Sequence, residues 1–219
     1  MATPKTNRFA RRYGPRFEDA TFPFPFGGYD EVLDEILARA SLQKPSRVLE
    51  IGANEGNLTG TFLEEGHDLC AIEPREAYSS TLTGRFPEVD ARALGLEPDE
   101  TGWFQARDAI EGRFACVVSA YFFHTLSWDQ KLAIIEHTFD HWLTRRGPML
   151  IGDLSFETRT SMEQTLDSLR TQTPHPELDA HHYWIADETK NHFVSLGYKI
   201  SYAQIGPCAG VYRLTHKKR

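Results

Sequence analysis

Val48-Leu49-Glu50-Ile51-Gly52-Ala53-Asn54-Glu55-Gly56 reads as an apolar strand that ends in an acid and runs into a glycine-containing turn. Gly52 lets the chain turn sharply out of the strand, and Gly56 lets a helix start close to a bound ligand. Twenty-one residues past Gly52, Glu73 closes a second apolar run, Leu69 to Ile72. In dinucleotide sites an acid near that offset accepts hydrogen bonds from two ribose hydroxyls. Strand, turn, helix and acid together point to a cofactor that carries a nucleoside.

Outward from this stretch, strands and helices alternate. Apolar residues at Val32, Leu33, Ile36 and Leu37 predict a helix over Tyr29 to Ala40. Strand Arg47 to Ile51, helix Leu58 to Glu65, strand Asp68 to Glu73, helix Glu76 to Arg85 and strand Val89 to Leu94 follow. That alternation predicts a parallel sheet covered by helices. Phe114 to Ala120 is a continuous apolar strand of the kind buried on both faces. Ser127 and Gln130 form a capping box for a helix with Trp128, Leu132, Ile135, Phe139 and Trp142 on one stripe. Met149 to Leu154 reads as a strand, and Thr160 to Thr171 and Asp187 to Leu196 as helices. Lys199 to Ile205 and Val211 to Thr215 flank a turn and predict a hairpin.

These residues resemble the class I S-adenosylmethionine-dependent methyltransferases, whose first motif is acid-x-Gly-x-Gly-x-Gly at the end of the first strand. Glu50, Gly52 and Gly56 fill three of its four positions, and Asn54 stands at the middle glycine. Asn best replaces Gly at positive φ, so the turn is retained, with a side chain where cofactor normally passes. Asn57-Leu58-Thr59, Ile72-Glu73-Pro74 and the run from Val118 to Leu126 extend the match to small bacterial methyltransferases of the YrrT-like group, over about residues 29 to 216. The resemblance implies an α/β fold: a Rossmann-like, seven-stranded methyltransferase sheet, mostly parallel with an antiparallel last strand, and helices on both faces. It implies S-adenosylmethionine as donor and S-adenosylhomocysteine as product. Glu50, Gly52, Asn54 and Gly56 would frame the methionine end, Glu73 the ribose, and Ser119, Ala120 and Tyr121 the floor near the sulfur. Such enzymes usually hold the adenine amino group with an acid just after the third strand. Here Leu94 takes that place; Asp90 comes too early, and Glu97 or Asp108 substitutes only if the loop folds back.

At 219 residues and 40% apolar content the chain fits one domain with one sizeable core. Residues 1 to 28, basic and then rich in Phe and Pro, read as an N-terminal arm or lid. Residues 29 to 219 form the domain, with a substrate-loop insert around 155 to 184. A net charge of -7 gives no general attraction for polyanions and disfavours nucleic acid as a substrate. Cys70, Cys116 and Cys208, odd in number and without Cys-x-x-Cys spacing, read as small core residues in a reducing compartment. No run approaches the roughly 18 apolar residues of a membrane span, and no signal peptide is apparent. The cytoplasm is the expectation, with the basic first 16 residues leaving an organellar transit peptide as the alternative. The sequence does not indicate the oligomeric state.

Methyl transfer is an in-line displacement at carbon, so the protein mainly aligns two reactants and excludes water. A base is needed only where the acceptor must lose a proton. His124, four residues beyond Ala120, is the candidate base; its other reading is a packed histidine beside Tyr121 and Phe122. Asp153 ends the fifth strand and either binds a substrate amine or caps a turn. His181, His182 and Tyr183, with His175, Glu177, Asp179 and Trp184, place substrate contacts in the insert. His137 and His141 resemble a zinc pair only superficially, since both fall on the helix face opposite Phe139 and toward water; no metal site is expected, with metal binding by the three histidines and two acids of the insert, whose spacing matches no standard site, left as the alternative to substrate contact. The functional expectation is therefore methyl transfer from S-adenosylmethionine to a small molecule. The alternative is a non-catalytic protein that keeps the fold to bind a nucleoside or a partner.

Overall fold

Strand β1 (Arg47–Ile51) buries every residue after Arg47 and lies between two parallel neighbours, β2 (Asp68–Ile72) and β4 (Cys116–Ala120). The computed structural model describes residues 28 to 94, 109 to 172 and 182 to 216. The sheet continues through β3 (Asp90–Arg92) on one side, and through β5 (Met149–Phe156), β8 (Ala209–Thr215) and β7 (Lys199–Gly206) on the other. The strand order is β3-β2-β1-β4-β5-β8-β7, with β8 antiparallel to both neighbours. The sheet is thus the expected methyltransferase arrangement. The order reverses between β1 and β4, and at such a switch point an α/β sheet opens a crevice beyond its carboxyl ends.

Side chains alternate across the sheet and generate two cores. Val48, Val118, Leu150 and Val211 face one side with Val32, Leu33 and Ile36 of α1 (Tyr29–Ala40), Leu58 and Phe62 of α2 (Asn57–Glu64) and Leu82 of α3 (Glu76–Arg85). Leu49, Val117, Ile151 and Tyr212 face the other with Ile134 and Ile135 of α4 (Trp128–His137) and Phe193 of α6 (Ala186–Ser195). Helix α5 (Arg159–Gln172) follows β5 and packs over a small satellite cluster of Phe156, Leu166, Ile185 and Cys208. Phe62 is completely buried, so Phe62→Ala would cost about 3 to 5 kcal/mol.

Five departures from the sequence reading bear on the site. A two-residue strand, β6 (Trp184–Ile185), adds to β5 through Ser155 and Phe156 and carries the insert back to the sheet. Helix α4 ends at His137 and passes into a π-helical turn, Thr138–Trp142. Its buried positions include Lys131 and Ile134, whereas Trp128 is 37% exposed, so the buried stripe is rotated from the expected one. His137 is not turned fully to water: its ring lies 4.5 Å from that of His141 and 4.6 Å from that of Trp142, because the wide turn brings the three together. Phe114 stands outside β4, its N–H donating to the Trp142 carbonyl at the end of that turn. The capping box is present, with Ser127 Oγ accepting from Gln130 N and Gln130 Oε1 accepting from Ser127 N.

Candidate functional site

Left-handed backbone shapes the loop after β1. Gly52, Asn54 and Gly56 have φ of 73°, 51° and 88°. At Gly52 a Cβ would stand 2.2 Å from Phe122 Cγ, and at Gly56 it would stand 2.4 Å from Leu82 Cδ1, so both positions are closed to side chains. Asn54 tolerates its conformation because its Nδ2 donates to the Gly52 carbonyl at 3.0 Å. The loop is thereby pressed between the chain just past β4 and the last turn of α3.

Glu73 is fully buried at the end of β2. Its Oε2 accepts from the Asn54 N–H at 2.7 Å, and its Oε1 accepts from Arg75 N at 3.1 Å and Arg75 Nε at 2.9 Å. The Arg75 guanidinium also donates to Asn54 Oδ1 and sits 4.1 Å over the Tyr78 ring. Arg75 is therefore part of this corner, which the sequence reading missed. The only local signal was its position two residues after the acid.

Glu50 is 2% exposed and accepts from Thr59 Oγ1. Burial pushes its carboxyl up to about 8; the Thr59 hydroxyl opposes this and the nearby Glu73 charge adds to it. A cationic group arriving beside Glu50 would reverse the burial effect. Tyr29 joins the same region: its ring stacks on Tyr121 at 5.1 Å, and its hydroxyl accepts from Asn57 Nδ2 at 3.4 Å. Sequence reasoning placed Tyr29 only as a helix start.

The end of β4 forms the opposite wall. Ser119 Oγ donates to the Ile51 carbonyl at 2.8 Å, so this side chain sews β4 to the end of β1. Ala120 is buried in register with Gly152 of β5. Tyr121 takes φ 51°, unusual for a bulky residue, and its N–H donates to the Gly152 carbonyl at 2.8 Å. This kink redirects the chain into the short 3-10 turn Phe123–Thr125 that carries His124.

His124 and Asp153 form a buried pair. Asp153 Oδ1 lies 2.7 Å from His124 Nδ1, and its Oδ2 accepts from the His124 backbone N–H at 2.7 Å. Leu154 N and the Trp184 indole N–H also donate to this carboxylate, at 2.8 and 3.3 Å. Burial would raise the Asp153 carboxyl, but the His124 ring, its hydrogen bond and the Lys131 charge outweigh this and hold it below its ordinary value. Asp153 is completely buried with both oxygens engaged, so it neither meets a substrate amine nor merely caps a turn. It fixes His124. With Nδ1–H donated to Asp153, Nε2 is the nitrogen that carries the basic lone pair.

The insert returns beside this pair. The His182 N–H donates to the His124 carbonyl at 2.8 Å, although the His182 side chain is exposed. Tyr183 is half-buried with its ring 5.4 Å from Phe156. His175, Glu177, Asp179 and His181 lie outside the described residues, as do Glu97, Asp108 and the arm before Gly28. Leu94 packs against the core on the α4 side of the sheet, and Asp90 is paired with Arg92 at 2.6 Å.

No protein-family model matches the chain. It is 31% identical over 194 residues to an uncharacterized methyltransferase, YrrT, of Bacillus subtilis, covering 85% of this chain and 83% of the relative. An uncharacterized methyltransferase of Oceanobacillus iheyensis is 27% identical over 191 residues, covering 86% of this chain and 84% of the relative. Among solved structures, the DhpI-SAM-HEP complex matches with a TM-score of 0.63 at 19% identity, covering 90% of both chains. At that identity the likeness is one of fold.

Proposed function

This chain belongs to the family of bacterial methyltransferases that includes YrrT of Bacillus subtilis, and on that premise we propose that it moves a methyl group from S-adenosylmethionine to a small molecule that His124 deprotonates. The observation that carries the base assignment is the 2.7 Å contact between His124 Nδ1 and Asp153 Oδ1 at the carboxyl end of the sheet. A carboxylate on Nδ1 fixes the tautomer and orientation of the ring and stabilises the imidazolium that forms when Nε2 takes a proton. Hydroxyl, thiol and acidic-carbon acceptors are the classes that need such a base.

The donor has a matching set of residues on the β1 and β2 side. The buried Glu50 carboxyl suits the α-ammonium of the methionine end, the Gly52 to Gly56 loop admits the chain of the ligand, and Glu73 suits the ribose hydroxyls once Arg75 moves aside. Structural neighbours include a complex of a related fold with SAM and HEP, which supports this donor. Tyr121, stacked on Tyr29, forms the wall between donor and base. The returning insert at His182 and Tyr183 borders the acceptor. The three cysteines are free and buried, which suits the cytoplasm, and among the described residues no helix is long and apolar enough to cross a membrane.

Two observations favour a second reading. Glu73 is already satisfied by Asn54 and Arg75, and Leu94 stands where the adenine-binding acid is usual, so a binding protein that keeps the fold is the alternative. Calorimetric titration with S-adenosylmethionine and S-adenosylhomocysteine separates the two, followed by labelled-methyl transfer to a panel of hydroxyl, thiol and amine acceptors. Binding with transfer supports the enzyme. No heat with either ligand would remove the donor assignment.

A further inference from the structure

Lys131 is 1% exposed, which is rare for a lysine without a partner. Its Nζ donates to the His182 carbonyl and lies 4.5 Å from the centroid of the Trp184 ring. The other side of His182 donates its N–H to the His124 carbonyl, and the Trp184 indole N–H donates to Asp153 Oδ2. Two routes therefore run from one ammonium to the same pair: through the backbone of His182, its carbonyl on one side and its N–H on the other, to His124, and through Trp184 to Asp153. Taking an ammonium out of water costs several kcal/mol, and a Met of similar length would fill the space without that cost. Neither donor binding nor proton removal uses Lys131.

We propose that Lys131 is a positioning residue whose ammonium pins the returning end of the insert, His182 to Trp184, against the His124–Asp153 pair. The inference rests on the reading of His124 as the base, since only then does the placement of this wall set how an acceptor meets it. Burial pushes the Lys131 amine down to about 8, while Asp153 pulls it back up. The ammonium is charged at neutral pH and loses that charge in mild alkali, where the neutral amine still donates to the His182 carbonyl but no longer presents a cation to the Trp184 ring. The titratable groups around it are Asp153 of β5, His124 of the 3-10 turn, Tyr212 of β8 behind the Trp184 ring and His192 of α6 behind Trp128.

The test uses the full chain, with S-adenosylhomocysteine as the probe ligand. Amide exchange at His182 and the NMR signal of the Trp184 indole are followed in wild type, Lys131→Met, Lys131→Gln and Lys131→Arg. Exchange at His182 is expected to rise about tenfold or more in Lys131→Met, as local opening becomes easier, and to return to near the wild-type rate in Lys131→Arg. The wild-type indole signal should move with a midpoint near 8, and should stay flat in the Arg and Met variants. Affinity for S-adenosylhomocysteine should hold within about twofold, because Lys131 stands apart from the donor residues. If Lys131→Met fails to fold, Lys131→Gln, which can still donate to the carbonyl without charge, is read in its place: it should keep His182 protection and lose the indole titration. Unchanged His182 exchange in Lys131→Met together with a persisting indole titration overturns the proposal. So does a loss of protection matched by an equal loss of ligand affinity, which would mean general loosening. Failure of the His124 reading would show separately, as full methyl transfer by His124→Ala with these signals intact.

Discussion

The backbone N–H of Asn54 donates to Glu73 Oε2 over 2.7 Å, which ties the loop after β1 to the acid after β2. The contact uses main chain on one side, so it does not depend on the Asn side chain. That side chain instead bonds the Gly52 carbonyl and receives Arg75.

Asn54→Gly tests what the side chain contributes. Glycine adopts the φ of 51° without strain and keeps the N–H that Glu73 accepts. The dissociation constant for S-adenosylhomocysteine should be equal to wild type or lower, since Arg75 loses one of its holds over the ribose acid. A tenfold rise would show that the Asn54 side chain touches the ligand. Glu73→Ala in the same assay should weaken binding more than tenfold, because two charge-assisted bonds to ribose, each worth about 1.5 to 3 kcal/mol, disappear.

Gly52→Ala should damage both folding and binding through a named neighbour. Its Cβ would meet Phe122 Cγ at 2.2 Å, and a φ of 73° is strained for any L side chain. The clash alone should cost about 1 to 3 kcal/mol in urea unfolding. Adding Phe122→Ala to Gly52→Ala should recover part of that loss relative to the sum of the two single variants. Strict additivity would mean that Phe122 is not what closes the position.

How far the sequence carried the fold and the site depended on the range of each interaction. The limits of α3, Glu76 and Arg85, and the Ser127–Gln130 box were readable because they rest on residues a few positions apart. The turn at Gly52 and the acid at Glu73 were readable for the same reason. Strand β6 was not, since two residues become a strand only by pairing with Ser155 and Phe156, about thirty positions away. Lys131 was not singled out, because the rotation of α4 that buries it goes with its π-helical end and with Trp184 packed against it, neither of which is a local pattern. Asp153 was singled out as a strand end, whereas β5 runs on to Phe156 and Asp153 pairs with Gly210 inside it; its contact with His124 is set by the positive φ of Tyr121, which no local pattern announced.

Glu50 gives a pH prediction with a definite sign. Its folded value of about 8 is above the ordinary 4.5, so between these values the native state holds a proton that the unfolded chain has lost. The stability it contributes is fully present below 4.5 and is lost as pH rises through about 8. Asp30, raised to about 6, acts in the same direction at lower pH, and Lys131, lowered to about 8, acts oppositely only above that, so pH 6 to 8 is the window to read. Wild-type unfolding free energy should fall there with a slope approaching about 1.4 kcal/mol per pH unit, and Glu50→Gln should be flatter. Binding of S-adenosylmethionine at neutral pH should release a proton, detected by calorimetry in buffers of different ionisation enthalpy, and Glu50→Gln should release none. Proton release that persists in Glu50→Gln would assign the ammonium to another group.

The His124–Asp153 pair separates rate from binding. His124→Ala, assayed on whichever acceptor the panel identifies, should lower turnover by roughly 10² to 10⁴ and leave affinity for S-adenosylhomocysteine nearly unchanged, since the base meets the acceptor and not the donor. Asp153→Asn should lose rate for a different reason: an amide can present its NH₂ to Nδ1, which selects the tautomer with the proton on Nε2 and removes the basic lone pair from the side that needs it. The two substitutions act on one step, so the double variant should be little slower than His124→Ala alone. A double variant whose losses multiply would place Asp153 in a separate role. Equal losses of rate and of S-adenosylhomocysteine affinity in His124→Ala would make the histidine a wall of the donor pocket, and undiminished turnover would leave alignment of the two reactants as the source of catalysis.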